Sequence, residues 1–249
     1  LFENFGRSAP FIAGAVATVV ALVVALIFVK EPPPTQTQAA VKEKNKGVLA
    51  NLKTVFVNPD KSGLFVLVSI LLWFIGFYAL ETALSSFAVF VLGISPGKAS
   101  IYSASITLSF LVFSIPAGLI ATRIGRRRAI RIGLAGLFVL LPLGWLIIQD
   151  ALTFIAVLVV GGIFWALVNV NSLPLVYDHG DENKIGAYTG LYYFSSQAAA
   201  VIGPTLSGIL VDALGDQYRY VWLFSTVFMF LAFLTMSRVR NVIPAVKNP

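Results

Sequence analysis

No cysteine occurs among the 249 residues, which excludes a disulfide framework, a thiolate metal site and a cysteine nucleophile. The single histidine, His179, lies with Asp178, Asp181 and Glu182 in a polar stretch. A lone loop histidine is ordinarily just solvated and not a metal ligand, and one histidine leaves no Ser-His-Asp set available. Charge is scarce too: 12% of residues are charged, about half the share found in soluble domains. No glycine-rich phosphate loop follows a strand, and no paired carboxylates suit acid–base hydrolysis. An enzyme reading has no residues to stand on, and neither a cofactor nor a metal is expected.

What remains is apolar. Hydrophobic residues make up 58% of the chain, with 20 Phe and 20 Gly, and the mean hydropathy is +0.88. Apolar runs of 18 or more residues mark membrane spans, so the composition predicts an all-α integral membrane protein and rules out disorder. The net charge of +7 is not a nucleic-acid footprint, because 11 of the 18 Lys and Arg fall in two short segments between apolar runs.

Seven spans are predicted, at 10–29, 64–92, 99–121, 130–148, 152–177, 187–211 and 220–237. The run at 64–92 is long enough to require tilt or a break. The polar stretch 30–62 opens with Glu31-Pro32-Pro33-Pro34 and is the one linker, dividing residues 1–29 from 63–249. Inside it, Val48, Leu49, Leu52, Val55 and Phe56 share one helical face beside Lys46 and Lys53, the pattern of a short helix on an anionic membrane surface. The chain begins with Leu1, and no signal-peptide cleavage site is visible, so it is expected to start in mid-protein. If spans alternate, 15 Lys and Arg fall on the side of the linker and C-terminus and three on the other. The linker and tail are then cytoplasmic, in a plasma-membrane protein.

Seven spans with an external N-terminus is also a rhodopsin-like receptor layout, yet no Asp-Arg-Tyr or Asn-Pro-x-x-Tyr motif is present. The linker after the first span points instead to one terminal helix of a preceding bundle followed by a six-helix unit. Sliding that unit by 90 residues aligns Phe74 with Phe164, Glu81 with Asn171, Tyr102 with Tyr192, Gly118 with Gly208 and Gly125 with Gly215. Two three-helix repeats of opposite orientation are expected.

Of eleven acidic residues, Glu81 alone sits deep inside an apolar run. A carboxylate at that depth faces a polar cavity, pairs with a cation or holds a proton, which makes Glu81 the candidate proton-coupling group; packing as a protonated acid is the alternative. On a helix it shares a face with Phe74, Phe77 and Tyr78. In the fifth span Asn169 lines up with Trp165 and Ser172, an amide, an indole and a hydroxyl suited to a sugar. Asn171 lies about 200° round the helix from Asn169, and either lines a site or bonds between helices. Thr189, Tyr193 and Gln197 form a polar stripe on the sixth span, expected to line water or substrate. Gly203-Pro204 and Ser114-x-Pro116-x-Gly118 permit bending or close helix approach, and Arg123, Arg126, Arg127, Arg128 and Arg131 read as a cytoplasmic charged turn.

The loop Gly118-Leu-Ile-Ala-Thr-Arg-Ile-Gly-Arg-Arg-Arg128 resembles the signature between the eighth and ninth helices of the major facilitator superfamily, notably at Gly118, Arg123, Gly125, Arg126 and Arg127. Thr122 stands where the family pattern has an acid, which puts that acid's gating role in question here. The segments Asn171-Ser-Leu-Pro-Leu-Val-Tyr-Asp178 and Gly186-Ala-Tyr-Thr-Gly-Leu-Tyr-Tyr193 look like the sucrose and glycoside cation-symporter branch. The resemblance implies the C-terminal half of a transporter, with the first span as the last helix of a missing N-terminal half, alternating access, a central sugar site and coupling to H+ or Na+. On this reading Tyr78, Trp165, Asn169, Asn171, Tyr193 and Gln197 line the substrate cavity, and the partners are membrane lipid, a small sugar-like substrate and the missing half. A proton-driven exporter of amphipathic compounds and a non-transporting receptor or scaffold stand as alternatives.

Overall fold

The computed structural model describes residues 8–28, 61–178 and 185–240. The interfacial helix expected around 48–56 and the turn holding His179 lie outside the described residues. The chain divides into two compact units, Leu1–Asn45 and Lys46–Pro249. In the first, α1 (Ala9–Phe28) is a 20-residue helix without a charged side chain, and Thr18 Oγ1 satisfies itself on the Gly14 carbonyl at 2.9 Å.

The second unit holds α2 (Ser62–Phe90), α3 (Pro96–Ser103), α4 (Ser105–Ile124), α5 (Arg126–Ile147), α6 (Ala151–Asp178), α7 (Ile185–Ala213) and α8 (Tyr220–Ser237). No strand occurs among the described residues. Helices α3 and α4 meet at Ala104 and together supply one span, so seven segments among the described residues are long and apolar enough to cross a bilayer. Lipid offers the backbone no hydrogen bonds, and a helix satisfies its own. Helix α2 is unbroken over 29 residues. At about 1.5 Å per residue it is roughly 44 Å long, beyond the ~30 Å hydrocarbon layer, and no break interrupts it.

One boundary differs from expectation. Arg126, Arg127, Arg128 and Arg131 belong to the first two turns of α5 and not to a turn between spans. Gly125, at φ 91°, reverses the chain in a single residue, and α5 starts at once. Only glycine enters that conformation without penalty. Gly215, its partner under the 90-residue shift, has φ 69° beyond the end of α7.

The helix pairing is interleaved. Helix α2 packs mainly on α7 and α8, α6 mainly on α4 and α5, and α5 meets α8, whereas the sequential neighbours α4 and α5, or α7 and α8, touch little. Exchanging α2 with α6, α4 with α7 and α5 with α8 maps this set of pairings onto itself. Two triplets related in this way, each with an odd number of crossings, have the opposite orientations that the sequence repeat predicts. The ends fix direction: Arg240 N–H donates to Ser62 Oγ at 3.3 Å, and the Phe90 ring stacks on Tyr218 at 5.4 Å. Thus α2 runs antiparallel to α8 and parallel to α7.

Backbones approach closely where glycine allows. A Cβ on Gly203 of α7 would lie 2.6 Å from the Ile75 carbonyl oxygen of α2, and one on Gly162 of α6 would lie 2.5 Å from the Ile106 carbonyl oxygen of α4. Short polar bonds accompany these contacts: Ser109 Oγ donates to Val159 O at 2.6 Å, and the Ser69 and Thr235 hydroxyls meet at 2.8 Å. Before α8, Arg219 donates to the Trp145 and Ile148 carbonyls at 2.8 and 3.0 Å, closing the C-terminus of α5. At the start of α6, the Asp150 carboxylate accepts from Thr153 N–H at 2.8 Å and Thr153 Oγ1 at 2.9 Å. These hydrogen bonds hold its carboxyl below the usual carboxylate range.

Two outcomes follow from this packing. Gly162→Val drives two methyls into α4, and overpacking of about 1–3 kcal/mol or more is expected as a lowered thermal midpoint of the purified protein. For Asp150, a depressed carboxyl stabilises the fold above the ordinary carboxylate value, and that contribution disappears as pH falls through the depressed one. Asp150→Ala should therefore lower the midpoint at neutral pH but match wild type in strong acid.

Candidate functional site

The candidate site begins on α2. Around this helix, Ile75 and Ala79 meet α7 through Gly203. Ser69 and Gly76 face α8, and Phe74 and Phe77 reach Trp165 of α6. At about 100° per residue, the side opposite α8 holds Tyr78, Glu81, Thr82 and Ser85. Glu81 and Thr82 are exposed, and Tyr78 and Ser85 are half-buried. Thr82 Oγ1 donates to the Tyr78 carbonyl at 2.7 Å, and Ser85 Oγ donates to Ser103 Oγ of α3 at 3.4 Å. The described bundle thus presents a polar strip centred on its one mid-span acid.

The face expected to join Glu81 with Phe74 and Phe77 divides. Phe74 is 4% exposed and meets Trp165 edge-on at 5.5 Å. Phe77 stacks flat on Trp165, with centroids 3.8 Å apart and planes 3° apart. Tyr78 stacks on Phe74 at 5.4 Å, connecting the aromatic layer to the strip. Trp165 is 3% exposed and lies within the bundle. The residue types favour this arrangement: flat apolar rings fill the space between α2 and α6 through stacked and edge-to-face contacts.

Of the sugar-suited trio on α6, Asn169 stays half-buried, while the Ser172 hydroxyl is engaged with Tyr192 OH at 3.0 Å and the Asn169 carbonyl at 2.6 Å. Asn171 is buried, donating from Nδ2 to Leu167 O at 3.0 Å and to Ala117 O of α4 at 3.4 Å. That geometry is the helix-joining role. On α7, Tyr193 and Gln197 are exposed, and the Thr189 hydroxyl meets Tyr177 OH of α6 at 2.9 Å. Tyr192 was not among the expected lining residues. Its ring faces Phe74 at 6.3 Å and its hydroxyl reaches Ser172, so it couples α2, α6 and α7. The signal for it was its repeat match to Tyr102.

Level along the bundle separates the exposed groups. Helices α2 and α7 are parallel and meet where Gly203 touches Ile75 and Ala79. Glu81 lies beyond that level and Gln197 short of it, so the two are about 15 Å apart along the axis. Glu81 with Tyr78, and Gln197 with Tyr193, form two stations. Among the described residues no group of three His, Asp or Glu side chains could hold a metal ion.

The arginine motif ties helix ends together. Arg126 pairs with Asp178 at the end of α6, and Arg127 donates to the Ser237 carbonyl of α8 at 2.8 Å. Thr122 bonds only locally, to Leu119 O at 2.7 Å, so the acid that meets the motif comes from α6.

Six interleaved spans with a polar strip at mid-depth define a helical membrane protein. The sequence matches the Major Facilitator Superfamily over residues 1–111 and 83–248, and the chain belongs to that family of transporters. It is 25% identical over 198 residues to a hexuronate transporter of Bacillus subtilis (strain 168), covering 76% of this chain and 40% of the relative. The chain therefore spans less than half the length of that relative. Its fold is similar to the crystal structure of the E. coli fucose:proton symporter, with a TM-score of 0.70 at 13% identity, covering 94% of this chain and 55% of the symporter.

If Asn171 serves packing, Asn171→Ala should lower the thermal midpoint by the equivalent of about 1 kcal/mol. The KM of the full-length protein should stay unchanged. For Tyr192 and Ser172, a double-mutant cycle of Tyr192→Phe and Ser172→Ala should return a coupling of about 0.6–1.7 kcal/mol in thermal or denaturant unfolding.

Proposed function

We propose that the full-length protein carrying this chain is a secondary active transporter of a sugar, sugar acid or glycoside, driven by H+ or Na+ through alternating access. The observation that carries the reading is Glu81: the one acid far inside a span, on the α2 face turned away from α8, exposed and flanked by Tyr78 and Thr82. An ionisable group at such depth is costly in lipid and is retained where it meets water, an ion or a proton. In this reading Glu81 takes up the coupling cation, and Tyr78, Asn169, Tyr193 and Gln197 line the C-terminal side of a cavity closed by an N-terminal half. Trp165 acts through its stack on Phe77, and Asn171 through its bond to α4.

The substrate class is supported by two likenesses, to a hexuronate transporter and to a fucose:proton symporter. The glycoside–cation symporter branch falls within the same class. The excess of Lys and Arg at the linker and tail supports a cytoplasmic location for both in the plasma membrane.

The test is Glu81→Gln in the full-length protein, reconstituted in liposomes. The neutral isostere should abolish concentrative uptake, while counterflow exchange of the same sugar continues. Accumulation equal to wild type would refute the assignment of Glu81.

A further inference from the structure

We propose that the basic end of the bundle, where α5 and α8 meet, is a binding site for an anionic phospholipid. Three chain segments converge there. Arg127 of α5 donates to the Ser237 carbonyl at the end of α8, and Arg240 beyond α8 donates its N–H to Ser62 at the start of α2. Arg128 and Arg238 are exposed on this end. Asp178, the acid described here, is engaged by Arg126, and the other described acids lie at mid-span or at the opposite end.

Helix stability does not account for these cations. The first turn of α5 contains three arginines, no acid and no side-chain cap, a charge placement opposed by its own helix dipole. A bias of positive charge toward one side explains their number. It does not explain their position above an exposed aromatic and aliphatic surface.

One turn further into the span, the Arg131 guanidinium lies over the Phe233 ring of α8 at 5.4 Å. Below it Phe138 of α5 and Phe230 of α8 pack ring to ring at 4.9 Å, and they remain 37% and 39% exposed. Leu234 and Ile132, at 44% and 50%, widen that apolar surface. Guanidinium groups above and an exposed aromatic and aliphatic surface at span depth match a phosphate headgroup with acyl chains beneath it. A soluble nucleotide or phosphopeptide would use the cations and leave that apolar surface uncovered.

The test uses the full-length protein in detergent micelles, with bound phosphatidylglycerol and phosphatidylcholine measured by native mass spectrometry. Each cation beside an anionic headgroup is worth about a fivefold change in binding, so Arg128→Gln/Arg238→Gln should weaken phosphatidylglycerol retention by about 25-fold. Lys98→Gln, at the opposite end of the bundle, should leave retention at the wild-type level. Unaltered helicity and elution keep the comparison valid, and Arg128→Gln alone should give about fivefold if the double variant fails to fold. Glycerophosphoglycerol, a headgroup without chains, should not displace the lipid. Equal retention by all variants, equal retention of phosphatidylcholine, or displacement by the chainless headgroup would each overturn the proposal.

Discussion

Lipid cannot hydrogen-bond a polypeptide, and every feature of this bundle is an answer to that constraint. The backbone satisfies itself in long helices, and several polar side chains at membrane depth bond locally or across to a neighbour. Ser109, Ser69, Asn171 and Ser172 all do so within the second unit. Glu81 differs from them as an exposed acid at membrane depth, where ionisable groups mark functional sites.

The pairing of helices follows from close packing rather than from chain order. Without a hydrophobic force between spans, association depends on surfaces that fit, and glycines supply them. Gly162 seats α6 on α4, and Gly203 seats α7 on α2. The layer made by α5 and α8 is held at both ends by arginines that bond helix-terminal carbonyls: Arg127 on Ser237 and Arg219 on Trp145 and Ile148. Those contacts fasten the back of the bundle. The opposite side, with Tyr78, Glu81 and Thr82, carries less packing and more polarity.

Tyr192 illustrates how such a bundle couples its parts. Its ring faces α2 and its hydroxyl bonds α6 from a position on α7. Tyr78 stacks on the same Phe74 that Tyr192 and Trp165 approach edge-on. The aromatic layer beside the polar strip therefore touches three helices.

By itself the sequence determined the number and approximate place of the spans, the inverted triplets and the isolation of Glu81, because length, apolarity and the cost of a buried charge are local properties that need no partner. It also singled out Gly125 and Gly215, whose shared spacing reflects one turn used twice. Tertiary structure alone decided which polar residues bond to other helices and which stay exposed. Asn171 and Asn169 differ by two positions in sequence, yet one meets the Ala117 carbonyl and the other stays half-buried. Trp165 looked like a sugar platform on its own helix and became a core residue once Phe77 stacked on it. Helical periodicity fixes which side chains share a face, but the rotation of that face relative to its neighbours is set by packing between segments far apart in the chain.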